Sequence, residues 1–281
     1  MSETLDLSKF ESQLKTTWLG RAPGWRNELW ETIGSTNTRA AELAAEGAPE
    51  GVVVLARHQT AGRGRLGRTW VSPVDAGLYM SMILRPRAPQ SQIPLLTIAA
   101  GIAVADAIRS VCDLKVGLKW VNDIIYDHRK VGGILAEMPA LGNANAAAKL
   151  LPQAVIVGIG INVNLNQEDI PEELTHKLDS LARIKDSDVD PNAMAAAIAT
   201  AFERTSALLN PSTSQELTNR WRDLSITIGQ MIVTESSERK LEGKAVDITD
   251  SGALIVELAD GSRITLHAGE ISIRVADGSY C

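Results

Sequence analysis

The sequence predicts an α+β chain: a mixed sheet with flanking helices, followed by a small all-β unit. Short apolar runs at Val52–Ala56, Leu78–Leu84 and Val155–Leu165 are interspersed with helical patterns at Leu95–Val111 and Asn192–Leu209. After Trp221 the style changes to short strands divided by the turns Asp250-Ser251-Gly252 and Asp260-Gly261. The chain has 281 residues, long for one compact core, which suits two domains, 1–224 and 225–281.

Taken in order, residues 1–27 read as irregular, and Asn27–Glu31 predicts the first strand. Ile33-Gly34-Ser35-Thr36-Asn37 then turns into a helix over Thr38–Glu46. The side-chain oxygens of Ser35, Thr36 or Asn37 suit the free N–H groups at its start. Val52–Ala56 is a β-branched strand that feeds the loop Gly62–Trp70. Leu78–Leu84 is a strand ended by Pro86 and Pro89. In Leu95–Val111, Ile98, Ile102, Ala105 and Ile108 recur at helical spacing and read as core. Val116–Trp120 is a strand ending at Val121-Asn122-Asp123, and Ile124–Tyr126 and Lys130–Glu137 predict a hairpin. Leu141–Lys149 is rich in Ala and Asn and reads as a mobile connection. Pro191 suits the entrance of the helix Asn192–Leu209. Ile232-Val233, Gly243–Ile248, Leu254–Leu258, Ser262–Leu266 and Ile271–Val275 predict a five-stranded barrel.

The bulk numbers exclude several classes. Hydrophobic content of 44% and charged content of 22% are ordinary for a globular chain. A net charge of −6 argues against a surface devoted to nucleic acid. Cys112 and Cys281 build no disulfide framework, and His58, His128, His176 and His267 show no metal-ligand spacing, so no protein-held metal is expected. Met1–Phe10 carries acidic residues and no apolar core, unlike a signal peptide. No run is expected to span a bilayer, and a cytoplasmic location is the default.

Gly62–Trp70 reads G-R-G-R-L-G-R-T-W and places Arg63, Arg65 and Arg68 in one loop with three glycines. Glycine lets backbone N–H groups approach a ligand, and arginine offers a fixed fork of donors to phosphate or carboxylate. Such a loop suits an anion. It formally matches G-x-G-x-x-G, but a dinucleotide site needs a helix directly after the glycines, and here Thr69–Ser72 is followed by Pro73. The V-A-I-K strand of a kinase and the G-K-[ST] of a P-loop are also missing. On this stretch alone, a solvated Arg/Gly loop remains the alternative.

Polar residues stand where other predicted strands end. Gln59 lies just before the loop, Lys119 and Asn122-Asp123 close one strand, Lys130 precedes Gly132-Gly133, and Asn162 closes Gly158-Ile159-Gly160-Ile161. Singly, each has a plain reading as surface charge, turn former or hairpin residue. In this order and with the arginine loop, they resemble the biotin protein ligases. The matching signatures are S-T-N at 35–37, G-R-G-R-L-G-R-T-W at 62–70, K-W-V-N-D at 119–123, R-K-V-G-G-I-L at 129–135 and G-I-G-I-N at 158–162. The resemblance runs from about Asn27 to the C-terminus, and the arginine loop is its most specific part. One departure is Val121, where the family usually has proline; valine takes the same extended backbone but is less rigid. Residues 1–26 are too few for a winged helix-turn-helix, so the ligase-only type is expected.

The resemblance implies a fold akin to class II aminoacyl-tRNA synthetase cores, with a C-terminal SH3-like barrel. It implies a two-step activity: biotin carboxylate attacks the α-phosphorus of ATP to give biotinyl-5′-AMP and pyrophosphate, and an acceptor lysine then attacks the mixed anhydride. Biotin and ATP are substrates, with Mg²⁺. The implied biotin residues are Ser35, Thr36, Asn37, Gln59, Gly62, Arg63, Gly64, Arg65, Lys130 and Gly133. Those implied for ATP or the adenylate are Arg65, Arg68, Trp70, Lys119, Asn122, Asp123, Gly160 and Asn162. Lys119, Arg65 and Arg68 would stabilise charge on the transferring phosphorus, and Asp123 would orient, or take a proton from, the acceptor amine. The implied partner is the biotin carboxyl carrier domain of a biotin-dependent carboxylase. Neither nucleic acid nor membrane is expected, and the chain is expected to be a monomer or weak homodimer.

Three rivals stand beside this. A lipoate or octanoate ligase uses a differently spaced Arg/Gly loop. The short N-terminus and acidic charge oppose a biotin-sensing DNA-binding repressor. In a non-catalytic nucleotide-binding module, Lys119 would be idle. The arginine loop itself yields one expected outcome. Like charges repel and glycine has high chain entropy, so Gly62–Arg68 should exchange amide hydrogens freely without ligand and become protected with biotin or the adenylate. Equal protection in both states would sink the idea of a closing loop.

Overall fold

The computed structural model describes residues 3–86, 94–140, 145–210, 212–235, 241–267 and 272–275. Seven strands form the first sheet: β1 (Glu28–Trp30), β2 (Val53–Ala56), β3 (Gly77–Leu84), β4 (Gly117–Lys119), β5 (Asp123–Tyr126), β6 (Arg129–Glu137) and β7 (Val155–Asn162). Their spatial order is β1-β2-β3-β7-β6-β5-β4. β1 and β2 run parallel and the other neighbours antiparallel, so the sheet is mixed as predicted. The second sheet is antiparallel, from β8 (Met231–Glu235), β9 (Glu242–Ile248), β10 (Leu254–Glu257), β11 (Arg263–Leu266) and β12 (Ser272–Val275), in the order β11-β10-β9-β8-β12.

The helices are α1 (Leu7–Gln13), α2 (Thr36–Ala45), α3 (Pro94–Cys112), α4 (Ala146–Lys149), α5 (Leu181–Lys185), α6 (Pro191–Ser206) and α7 (Ser214–Leu224). α3 and α6 pack on each other and on one face of the first sheet. α2 covers part of the other face, burying Ala40, Leu43 and Ala44 with Val54, Ile83 and Ile156. Being covered on both sides explains β3: all eight of its residues are buried. A strand covered on both faces reads as a continuous apolar run, and Ser81 is the exception in its middle.

By length and composition α3 could cross a membrane, contrary to the expectation that no run is long enough. Here most of it is buried between the sheet and α6. Two more corrections concern helices. Residues 1–27, read as irregular, contain α1, whose seven residues are too few for a clear period. Asp6 caps it by accepting from Lys9 N at 2.8 Å, and Phe10 is buried. α7 escaped notice although it buries Leu217, Thr218 and Trp221 on one face. α4 lies where a mobile connection was expected; residues 141–144 of that stretch, with Pro89, Ile271 and Cys281, fall outside the described residues. The β5–β6 hairpin turns on Asp127 and His128, with φ of 43° and 62°. Both are left-handed, as a two-residue turn joining right-twisted strands requires.

The stretch after α1 is tied down by one carboxylate. Glu203 of α6 accepts from Thr17 N and Thr17 Oγ1 at 2.7 Å each, and from Trp18 N and Leu19 N at 3.0 Å. Burial works to raise its pKa, but these donors outweigh burial and hold it below the ordinary 4.5. A lowered folded value stabilises above the unfolded value and is lost as pH falls through the folded one. Because solvent reaches the carboxylate, the effect should stay near or below about 1 kcal/mol. Glu203→Gln should therefore be less stable than wild type at about pH 7 and converge with it near about pH 3, as read by denaturant melts. A constant gap at both pH values would refute the assignment.

Candidate active site

On the face of the first sheet that α2 covers only in part lies a cavity of about 320 Å³. Five separate stretches of sequence converge on it. The turn into α2 supplies Ser35, Thr36 and Asn37; Gln59 and the arginine loop supply a second wall with Arg63, Gly64, Arg65, Arg68 and Trp70. The β4–β5 corner brings Lys119, Asn122 and Asp123; β6 brings Lys130 and Gly133; β7 brings Gly158, Gly160 and Asn162. Thus every predicted site residue lines this cavity except Gly62. Gly62 stands behind the wall, where an added Cβ would come within 2.6 Å of Trp70 O and 2.7 Å of Ser72 Oγ.

Glycines make the floor. A Cβ on Gly160 would lie 2.6 Å from the Trp70 indole, and one on Gly133 would press on both Trp70 and Lys130 at 3.1 Å. A Cβ on Gly158 would collide with Asn37 Oδ1. The spacing in G-I-G-I-N follows from the strand period, since residues two apart share a face: Gly158 and Gly160 face the cavity, while Val157, Ile159 and Ile161 join the main core. The Trp70 ring on this floor has its Nε1 buried with no hydrogen-bond partner. An unpaired buried donor is costly, so this atom marks where a ligand acceptor would be stabilised.

At one end lies a network of hydroxyls and amides, closed on its outer side by an ion pair. Thr36 donates to Gln59 Oε1 from its backbone N at 2.9 Å and from Oγ1 at 3.2 Å, and Gln59 Nε2 donates to Ser72 Oγ at 3.1 Å. Ser81 Oγ donates to Asn37 Oδ1 at 2.6 Å and lies 2.7 Å from Thr36 Oγ1. Asn37 Nδ2 donates to Glu137 Oε2 at 2.7 Å, and Arg63 Nη2 meets the same oxygen at 2.9 Å. Ser35 stands at the N-cap of α2 without a side-chain capping bond, and Thr36 and Asn37 lie inside the helix, so the capping expected of these residues is not realised. Sequence reading missed Ser72, Ser81 and Glu137. Ser81 alone carried a signal, as a serine inside an apolar strand.

The other end is cationic. Burial pushes the Arg65 guanidinium below its ordinary range; Asp123 opposes that and Arg68 adds to it. Arg65 Nη1 donates to Asn122 Oδ1 at 3.2 Å. Asn122 is itself clamped to β6, accepting from Ile134 N at 2.9 Å and donating to Ile134 O at 3.0 Å. Valine at 121 therefore leaves Asn122 held from the neighbouring strand. Lys119 is only 6% exposed. Lys130 Nζ lies 2.5 Å from Asp123 Oδ1 and 5.2 Å from the centre of the Trp70 ring. A further wall, with Leu174, Lys177 and Leu178, was not anticipated. It is strapped to β6 by Lys130 N donating to Lys177 O at 2.8 Å and Asp179 N to Lys130 O at 3.1 Å, and Asn162 Nδ2 donates to Asp179 O at 2.9 Å.

The donor set also bears on Mg²⁺. Among the described residues no three carboxylate, His or Cys groups cluster to hold a metal, and Asp123 is the one carboxylate among the described lining residues. Mg²⁺ commonly takes one or two carboxylates plus substrate phosphates. The residues here fit an ion carried on a polyphosphate rather than caged by the chain.

Comparisons with known proteins agree with this geometry. The Biotin/lipoate A/B protein ligase family matches residues 29–162, and the Biotin protein ligase C terminal domain matches 227–274. The biotin--[acetyl-CoA-carboxylase] ligase of Mycobacterium tuberculosis is 31% identical over 268 residues, covering 93% of this chain and 94% of that protein. A bifunctional ligase/repressor of Bacillus spizizenii is 35% identical over 231 residues, covering 82% of this chain and 69% of that one. The biotin protein ligase of Aquifex aeolicus, solved in complex with biotin and ATP, superposes with a TM-score of 0.76 at 27% identity, covering 90% of this chain and all of that one.

Proposed function

The chain belongs to the biotin protein ligases, and on that premise we propose that its cavity first joins biotin to ATP and then hands the biotinyl group to a carrier-domain lysine. One observation carries the reading: a network of hydroxyls and amides and a partly buried cationic corner sit at two ends of a single cavity with a glycine floor between them. Biotin has that polarity, with a polar ureido ring, an apolar tail and a carboxylate. In this reading Ser35, Thr36 and Gln59 match the ureido ring, because a buried unpaired polar group would cost about 1–3 kcal/mol. The tail crosses the floor at Gly133, Gly158 and Gly160. Trp70 and Asn162 take the nucleotide side, and the boundary between the catalytic and SH3-like units falls at residues 224 and 225.

The chemistry follows from charge. A carboxylate and a triphosphate repel, so the corner must neutralise both. The biotin carboxylate oxygen forms a bond to the α-phosphorus, the bond to the bridging oxygen breaks, and pyrophosphate leaves with that electron pair. Lys119, Arg65 and Arg68 stabilise the charge that develops on the phosphorus oxygens. When bound, Mg²⁺ supplies further charge neutralisation on the phosphates. In the second step the acceptor ε-amine bonds to the acyl carbon and AMP leaves; Asp123 orients the amine or takes its proton. No enzyme nucleophile is needed. A lipoyl substrate offers no ureido ring for Gln59 and Thr36 to match.

Lys119→Ala should form adenylate about 100- to 1,000-fold more slowly with the fold intact, the usual effect of losing one charge-stabilising contact at a transition state. Mass spectrometry of the protein with ATP, Mg²⁺ and biotin reads this; a normal rate would remove Lys119 from the mechanism, and adenylate from lipoate instead of biotin would overturn the substrate. Arg65→Ala should release the adenylate faster while free biotin binds nearly as before, because phosphate is the group arginine grips bidentately. Labelling of an unrelated lysine-rich protein should rise as the anhydride escapes. Unchanged adenylate dissociation and no stray labelling would show that Arg65 is not the clamp.

A further inference from the structure

The strand that carries Lys119 is the outermost of its sheet and only three residues long. An edge that short cannot hold a side chain in register by its own ladder. Its inner edge pairs with β5. Its outer edge is held by the start of the second unit. Ile226 N donates to Leu118 O at 3.1 Å, and Trp120 N donates to Thr227 Oγ1 at 2.8 Å in a buried bond. Trp120 Nε1 donates to Gly252 O at 3.0 Å, in the turn before β10. These three bonds grip the residues immediately on either side of Lys119, and Gly117 lets the strand come this close, since a Cβ there would collide with Ile226. Ser225 Oγ in turn accepts from Thr227 N and Ile228 N at 3.2 and 3.3 Å, which fixes the gripping segment itself.

We propose that Thr227, with the Gly252 carbonyl, is a positioning residue for adenylate formation: the second unit sets the placement of Lys119 by clamping Leu118 and Trp120. The assignment rests on the reading of Lys119 given above. Thr227 is 3% exposed, and its role is read from its hydroxyl as the acceptor of a backbone N–H that the three-residue strand leaves without a strand partner on that side. Biotin's polar network at Thr36 and Gln59 lies on other elements, so loss of the clamp should leave biotin binding alone.

The test uses the full chain. Thr227→Val keeps the shape and removes the acceptor; Thr227→Ser keeps the acceptor. Thr227→Val should lower kcat for adenylate formation about tenfold or more, as misplacements on the scale of an ångström do. Biotin affinity by calorimetry should stay within about twofold, and the transfer step from added biotinyl-adenylate should be little changed. Thr227→Ser should restore most of the rate. Trp120→Phe, which removes the bond to Gly252 together with part of a buried ring, should slow the same step and serves as the deciding variant should Thr227→Val not fold. Equal rates in these variants and wild type, or a parallel fall in biotin affinity, or no rescue by serine, would overturn the assignment. A wild-type chain that makes no adenylate at all would overturn the functional reading, and this assignment with it.

Discussion

The site depends on a steric constraint: beneath Trp70 and Asn37 there is no room for a β-carbon. Gly158, Gly160 and Gly133 are there because adjacent central strands must bring backbone, and not side chains, up to the cavity. Their bareness lets the Trp70 indole lie on the sheet and lets Asn37 reach Ser81 and Glu137. Substituting alanine at Gly158 would push Asn37 aside and so disturb Thr36, Gln59 and Ser72, which share its network. The cavity is thus shaped more by what the sheet leaves out than by what the loops add.

The second constraint is electrostatic. Arginines and lysines concentrated in a partly buried space repel one another, and each must be held until an anion arrives. Glu137 holds Arg63, Asp123 holds Lys130, and Arg65 leans on the Asn122 amide. Burial already weakens the hold of Arg65 on its proton, and Arg68 adds to the strain. An anion entering that corner would relieve repulsion and gain hydrogen bonds together.

The motifs were legible in the sequence because they are local. The glycine and arginine loop, the K-W-V-N-D corner and the G-I-G-I-N strand each occupy one short stretch, and it was their order along the chain that carried the resemblance and, through it, their residues. What stayed hidden is what depends on three dimensions. Ser72 and Glu137 gain their roles from partners 13 and 74 residues away. The wall at Leu174–Leu178 is a plain turn that follows the three-residue 3₁₀ segment Glu172–Leu174, with no periodic signal, and it is defined by its strap to Lys130. Long elements such as α3 and α6 were read nearly to their ends, whereas α1 offered too few residues for a period to show. The five short strands of the second sheet were visible from their turns, but the bonds from Trp120 to Thr227 and Gly252 link β4 to residues more than a hundred positions away, and no pattern in sequence marks them.

The alternation along β7 has a consequence for how this protein can change. Val157, Ile159 and Ile161 belong to the core, while Gly158, Gly160 and Asn162 belong to the cavity. Neighbouring codons therefore answer to different kinds of selection. A substitution at an odd position is judged by whether the chain survives in the cell, and one at an even position by whether it still recognises its ligand. An inserted or deleted residue would swap the two sets at once, so this strand can drift in composition but not in length.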